Sequence, residues 1–487
     1  MKKNIIKISL AALTIFVSLT SCDRNLDQIS SINEDQEQAM TRPETFRQAM
    51  DGAYSALKGG GYYTSDTGNQ LIMGDLTTDN LVRTTTGRNT NFAASNFEFS
   101  SDNSQTTGLF SAAYLVISRA NFVLKYINNG VLSGAQKTNL EAEARALRAI
   151  AHFDIVRAYS QIPTQAAGAK NSIGIYYSET YAPLNNTSSR NLTVDQVYDK
   201  IIADLLFAAD NITQNDADKG RLSKAAVYGL LSRINLYKGD YANTIKYGEL
   251  ALGLSPSITT LDNFTRIWKE NEGLSRITDG VLFQVSNAPA EQNTVGVAYN
   301  QSVPALRSEF VVDYDLYTAY TSNDVRKGAY FTEGTYSGQK YNHVTKYAGN
   351  GGPANIVPVK YLRSAEVLLN VAEAYSRSGN GAQALVLLNK LRTERYSSFT
   401  PGTETGQTLL DAILKERRLE LAFENDRWYT LKRLNLPVQR SGKGDLFDGT
   451  GTPAVAQTLA AGSFKWQWPI PITAIQANPN IKQNDQY

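Results

Sequence analysis

The chain has 487 residues, with 48 Lys and Arg against 46 Asp and Glu, a formal net charge of +2, and a single cysteine. Three of the bases lie in the first 21 residues, which leaves 45 against 46 beyond them. That balance argues against nucleic acid or an anionic lipid surface as a partner. One cysteine forms no disulfide within the chain, so stability must come from packing. The aromatic residues are 27 Tyr, 17 Phe and 4 Trp. Tyrosine, with its flat apolar face and polar tip, suits a sugar-facing surface and equally the rims of an ordinary helical array.

Lys2, Lys3 and Lys7 precede an uncharged, mostly apolar run from Ile8 to Thr20. That run is too short for the roughly 20 residues of a membrane-spanning helix and reads as a secretion signal over residues 1–21. Leu19-Thr20-Ser21-Cys22 resembles the lipobox of bacterial lipoproteins, in which the cysteine becomes the acylated N-terminus. Cys22 is therefore the expected lipid-attachment site, and the polar stretch 22–40 a flexible tether. No second apolar stretch long enough to span a membrane is expected.

From Thr41 the spacing of Phe46, Met50, Ala53 and Leu57 predicts a helix, which Gly59-Gly60-Gly61 ends. Residues 84–108, rich in Thr, Ser, Asn and Gly, read as a long loop, and Tyr114–Ile127 and Leu140–Tyr159 as helices. Thr193 and Gln196 have capping-box spacing, followed by an apolar stripe of Val197, Ile201, Leu205 and Ala208. Tyr228, Leu231, Ser232, Gly239, Tyr241, Ala251 and Pro256 then fall on favoured tetratricopeptide positions. Thr244, Gly248 and Asn235 depart from that pattern. A cleaner copy is Leu368, Val371, Ala372, Tyr375, Gly379, Ala384, Leu388 and Leu391. Helix pairs are accordingly expected over about 140–256 and 361–395, within one domain spanning 41–487. Between 257 and 358 the helical period is lost, and a loop-rich region this long inside a helical scaffold is usually functional.

Several segments carry a family resemblance. They are Gly74–Asn80, Glu143–Ala149, Tyr361–Leu369 with Ala372-Glu373-Ala374, and Glu416–Glu424 with Arg427-Trp428 and Leu431-Lys432-Arg433. The ending, with Pro469-Ile470-Pro471-Ile472, Asn478-Pro479-Asn480 and Gln483-Asn484, belongs with them. In this order they resemble the SusD/RagB family of outer-membrane lipoproteins. The resemblance implies a mainly α, tetratricopeptide-like scaffold with long irregular insertions forming the ligand face. It also implies a surface lipoprotein that captures oligosaccharide, or in some members peptide, for a SusC-like TonB-dependent transporter. Read from the residues alone, the charged motifs look structural: Arg363 with Glu366 has i,i+3 spacing, and the acids of 416–424 would pair with arginines between helices.

Little suggests catalysis. His152 and His343 lie far apart in no metal spacing, His152 reads as a core histidine, and no G-x-S-x-G element is present. No cofactor and no metal are expected. A glycoside hydrolase, whose paired carboxylates leave no local signature, is the alternative from the enzyme class. For the ligand surface, aromatic rings must be flanked by polar groups, because an unpartnered buried hydroxyl costs roughly 1–3 kcal/mol. That criterion selects Tyr62 and Tyr63 with Asp79, Asn80 and Arg83; Trp268 with Arg266; and Tyr330, Tyr336 and Tyr341. Trp268 leads, as the only Trp of the loop-rich region, and Trp428, Trp466 and Trp468 are expected to be packing residues.

Overall fold

The computed structural model describes residues 36–65, 69–181, 189–215, 217–254, 257–268, 279–286, 294–300, 307–347 and 358–487. The signal segment, Cys22 and the tether through residue 35 lie outside the described residues, as does Pro256. Helix α1 (Pro43–Ala56) begins on a proline, whose missing N–H would be unsatisfied at that position anyway, and it buries Phe46, Met50, Ala53 and Tyr54. After it come α2 (Gln70–Leu76) and the short strand β1 (Leu81–Arg83). Helix α3 (Ser104–Tyr126) starts ten residues before the expected Tyr114, inside the stretch read as a loop, because the Asn103 side chain accepts from Gln105 N and caps it. By length and composition α3 could cross a membrane. It is instead a core helix, with Leu109, Val116, Ile117, Ala120 and Val123 buried where it packs on α1 and on α4 (Gly134–Tyr159). That corrects the expectation that no second stretch qualifies.

Helix α5 (Val194–Asn211) carries the predicted capping box: Gln196 N donates to Thr193 Oγ1 at 3.3 Å and Thr193 N to Gln196 Oε1 at 2.9 Å. Its stripe of Val197, Ile201, Leu205 and Ala208 is buried. Helices α6 (Lys224–Lys238) and α7 (Tyr241–Leu254) form a tightly packed pair, turned by Gly239 at φ 82°, a conformation that favours glycine. Gly248, out of place in the repeat pattern, has a direct reason. A Cβ there would sit 2.2 Å from Val371 Cγ2, so the helix pairs meet by removing the side chain.

The loop-rich region holds more regular structure than its sequence suggests, in strands β2 (Val281–Val285), β3 (Phe310–Val312), β4 (Phe331–Tyr336) and β5 (Gln339–Val344). After it come β6 (Val359–Arg363) and helices α8 (Ser364–Arg377), α9 (Gly381–Thr393), α10 (Gly406–Glu420) and α11 (Arg427–Arg433). The pairings β1–β3, β2–β6 and β4–β5 are antiparallel, and a short fourth pair joins Val438–Gln439 to Thr458–Leu459. Helix α8 packs on α7, α9 and α10, which joins the two helical stretches into one scaffold. The fold is mainly α, as the sequence predicts.

The charged motifs are buried. Arg363 pairs with Glu420 at 2.8 Å and Glu424 at 2.5 Å, not with Glu366, whose partner is Arg233 at 2.6 Å. Local spacing points to the wrong partner because Arg363 ends β6 in an extended conformation before the helix of Glu366 begins. His152 is a core histidine: Ser178 N donates to its Nε2 at 3.0 Å, and its ring stacks on Tyr177.

Candidate ligand-binding surface

Most of the aromatic residues chosen from sequence turn inward. The Tyr62 and Tyr63 rings stack at 4.6 Å, with hydroxyls donating to the buried carboxylate of Asp154 at 2.6 and 3.2 Å. Asp79 is held by Arg427 at 2.7 Å and Arg418 at 3.2 Å, while Asn80 accepts from Arg418 and donates to Asp75 at 2.7 Å. These two residues lock the 74–80 segment onto the 416–427 motif and offer nothing outward. Tyr330 is fully buried, with its hydroxyl on the carbonyl of Glu420 at 2.9 Å. Trp268 is only 6 % exposed, packed among Phe264, Tyr330 and Tyr347. Arg266 is half-buried and donates to Asn263 at 2.9 Å. The reason is common to all: in a Tyr-rich chain, aromatic and polar neighbours in sequence serve as well for a hydrogen-bonded core.

Three of the chosen residues do come together. Arg83 ends β1, which pairs with β3 so that Arg83 faces Phe310, and the loop that follows is tied down along its length. Thr84 N donates to the Glu309 carbonyl at 3.0 Å, Thr84 Oγ1 to the Ser308 carbonyl at 2.6 Å, and Arg307 Nε to the Thr86 carbonyl at 2.8 Å. Tyr341 of β5 is buried, and its hydroxyl meets Thr86 Oγ1 at 3.4 Å. Tyr336, at the end of the β4–β5 hairpin, is half-buried with the Arg307 guanidinium 5.5 Å from its ring. On the opposite side, buried Asp445 accepts from Thr85 N at 3.0 Å and Thr452 N at 2.8 Å. Phe447 N donates to the Lys340 carbonyl at 3.0 Å, which docks the 440–455 turn on the hairpin.

The outcome is a surface of rigidly held loops carrying exposed rings. Phe92 is 39 % exposed with the Arg83 guanidinium 4.7 Å from its ring, and Phe447 is 38 % exposed with Lys340 at 4.6 Å. Phe92, Arg307, Phe447 and Asp445 escaped the sequence reading. The available signal was that both segments carrying most of them, 84–108 and 437–487, are long and irregular in sequence. Burial lowers the Arg83 pKa, an effect partly offset by Glu309. Chemically, the surface offers ring faces, hydroxyls, amides and cations, and its acids Glu309 and Asp445 are already bonded to Arg88 and to backbone amides. Among the described residues no group of three or more His, Cys, Asp or Glu is arranged to hold a metal.

Residues 247–487 match the profile described as "SusD family", and residues 26–236 match one described as "Starch-binding associating with outer membrane". The chain belongs to the SusD/RagB family. Among its SusD-family relatives is SusD-like protein P2 of Formosa agariphila, 25% identical, with 90% of this chain and 93% of that one covered. A SusD-like protein of Bacteroides ovatus is also 25% identical, over 69% of this chain and 66% of its own. A structure described as a putative sugar binding protein from Bacteroides vulgatus superimposes with a TM-score of 0.78 at 25% identity, covering 92% and 99%. Surface glycan-binding protein A from Bacteroides uniformis shares the SusD fold at a TM-score of 0.68 and 22% identity, covering 91% and 99%.

Proposed function

We propose that this SusD-family chain is a cell-surface lipoprotein, anchored at Cys22, that binds oligosaccharide and passes it to a SusC-like TonB-dependent transporter without transforming it. The observation that carries the reading is the loop surface around Phe92, Tyr336 and Phe447. There, accessible rings sit beside cations, hydroxyls and amides on loops whose backbone is already tied down. Sugar C–H faces stack on such rings while their hydroxyls take the polar neighbours, and preorganised loops reduce the ordering cost of binding. Of the residues chosen from sequence, Arg83, Tyr336 and Tyr341 belong to this surface, with Tyr341 supporting the loop from beneath. The Bacteroides vulgatus neighbour, described as a putative sugar binding protein, agrees with the reading. Exposed apolar side chains on the helices are available to a protein partner: Leu250 and Leu254 on α7 and Val386 on α9 are 42%, 40% and 68% exposed.

A glycan panel run against the purified chain tests the binding step. Phe92→Ala combined with Tyr336→Ala is expected to weaken retention at least tenfold while moving the melting temperature little, because both rings are partly in water already. Retention unchanged by the pair would remove this surface from the reading, and release of shortened products by the wild type would make the chain a hydrolase. Retention of peptides and of no glycan would favour the peptide-binding alternative.

The anchor is tested separately by metabolic labelling with radioactive palmitate. The wild type is expected to incorporate label and Cys22→Ala to lose it; equal labelling of the two would exclude Cys22 as the acylated residue.

A further inference from the structure

On the flank of the 84–92 loop lies a cavity of about 180 Å³, walled by the loop itself, by Ser95 and Asn96, and by the 452–455 turn. Its lining holds two guanidiniums, Arg83 and Arg440, and no carboxylate. The Arg440 donors all go to backbone carbonyls: Nε to Thr78 at 2.9 Å, Nη1 to Ser95 at 2.7 Å and Ala456 at 2.5 Å, and Nη2 to Leu76 at 2.9 Å. Arg83 donates to the amide oxygen of Asn89 and lies over Phe92. Among the described residues neither guanidinium has an acid within ion-pair distance. The carboxylates that act on them from farther away are committed elsewhere: Glu309 to Arg88, Asp79 to Arg418 and Arg427, and Asp313 to Ser441.

We infer that this cavity receives the negatively charged substituent, a carboxylate or a sulfate ester, of an acidic glycan whose ring stacks beside it on Phe92. The inference rests on the glycan-binding reading and narrows it to a class of ligand. Taking cations from water without a counter-charge is costly, and an arriving anion relieves that cost where a neutral hydroxyl does not. Burial lowers the Arg440 pKa to about 10, with Asp79 and Asp313 only partly opposing, a sign of a cation short of negative charge. With its nitrogens engaged by carbonyls, Arg440 acts on the anion through its charge, while Arg83, bonded through Nη2 to Asn89, supplies the charge-assisted N–H bonds, which are about twice as strong as neutral ones. The remaining lining suits the rest of a sugar, with Thr85, Asn89 and Asn96 for hydroxyls and Val455 for an apolar edge.

The test uses the full chain in detergent and four polymers: polygalacturonate for carboxylate, dextran sulfate for sulfate, and starch and dextran as neutral counterparts. The wild type is expected to hold at least one anionic polymer tenfold or more tightly than the neutral ones, and which one names the anionic group. Arg83→Gln should reduce that preference at least threefold. Val455→Glu, at a site 74% exposed and therefore harmless to the fold, should do the same by placing a negative charge at the mouth. Equal retention of neutral and anionic polymers, or an anionic preference that survives both substitutions, overturns the inference and leaves the glycan reading standing. Retention of none of the four would remove both.

Discussion

Glu420→Gln is expected to cost about 3–5 kcal/mol of folding stability, the range for breaking a buried ion pair from one side. Glu420 is fully buried. Its Oε1 accepts from Arg363 Nη1 at 2.8 Å and Arg395 Nη2 at 2.9 Å, and its Oε2 from Arg395 Nε at 2.8 Å and Arg326 Nη1 at 3.5 Å. The amide keeps the shape but removes the charge and turns an NH₂ toward guanidinium donors. Arg395 has no other carboxylate in contact among the described residues, whereas Arg363 keeps Glu424 and Arg326 keeps Asp324 and Glu416. Urea unfolding should show a lower midpoint with an unchanged slope. A loss under about 1 kcal/mol would mean that the neighbouring acids substitute for Glu420, contrary to the expected range.

The same group sets an acid response. Burial would raise the Glu420 pKa, but Arg395 and then Arg363 hold it well below the carboxylate range. Glu373 follows the same balance: burial raises it, Arg433 and Arg377 lower it, and it settles at about 2. Because the folded values are depressed, the stabilisation is complete above the ordinary glutamate value of 4.5 and is lost as pH falls toward the folded values. The stability gap between wild type and Glu420→Gln should therefore be constant from neutral pH to pH 5 and shrink below 4.5. A gap that instead narrows on the alkaline side would contradict the assignment of Glu420 as the ionised hub.

How much of this was legible follows from the range of each interaction. The capping box at Thr193 and the stripe from Val197 to Ala208 are local, so periodicity reveals them. Ala372 and Ala384, small where helices must approach, are read the same way and are fully buried. The partners of Arg363 lie 57 and 61 residues away, and those of Asp79 339 residues or more away, so spacing on one helix cannot name them. Gly248 looked like a defect in the repeat until Val371, from the other helix stretch, was placed against it. The ligand surface is the extreme case. Arg83, Tyr336 and Tyr341 converge only because the 84–92 loop is fastened to residues 307–309, a contact across more than 200 positions. Composition chose them together with seven residues that face elsewhere, since ring-plus-polar clusters also build this chain's core.

Trp268→Ala separates those two uses of an aromatic residue. The substitution is expected to lower stability by about 3–5 kcal/mol, the usual result of truncating a buried Trp, and to leave glycan affinity of the folded protein within about twofold. The indole meets Phe264, Tyr330 and Tyr347 edge-on at 5.8–6.4 Å between ring centres. It is also surrounded by cations, with Lys346 at 4.3 Å and Arg363 and Lys360 at 5.4 Å from the ring. The Lys346 ammonium donates to the Ala422 carbonyl at 2.8 Å and to Glu424 at 2.7 Å, and burial still lowers its pKa to about 8, so the electron-rich faces of Trp268 and Tyr330 add support to a cation that is costly to bury. Truncation would remove that support and open a cavity next to the Glu420 network. Trp268→Phe, which keeps a ring over Lys346, should recover much of the loss. A tenfold drop in retention without a fall in melting temperature would reverse this assignment and place Trp268 on the ligand surface.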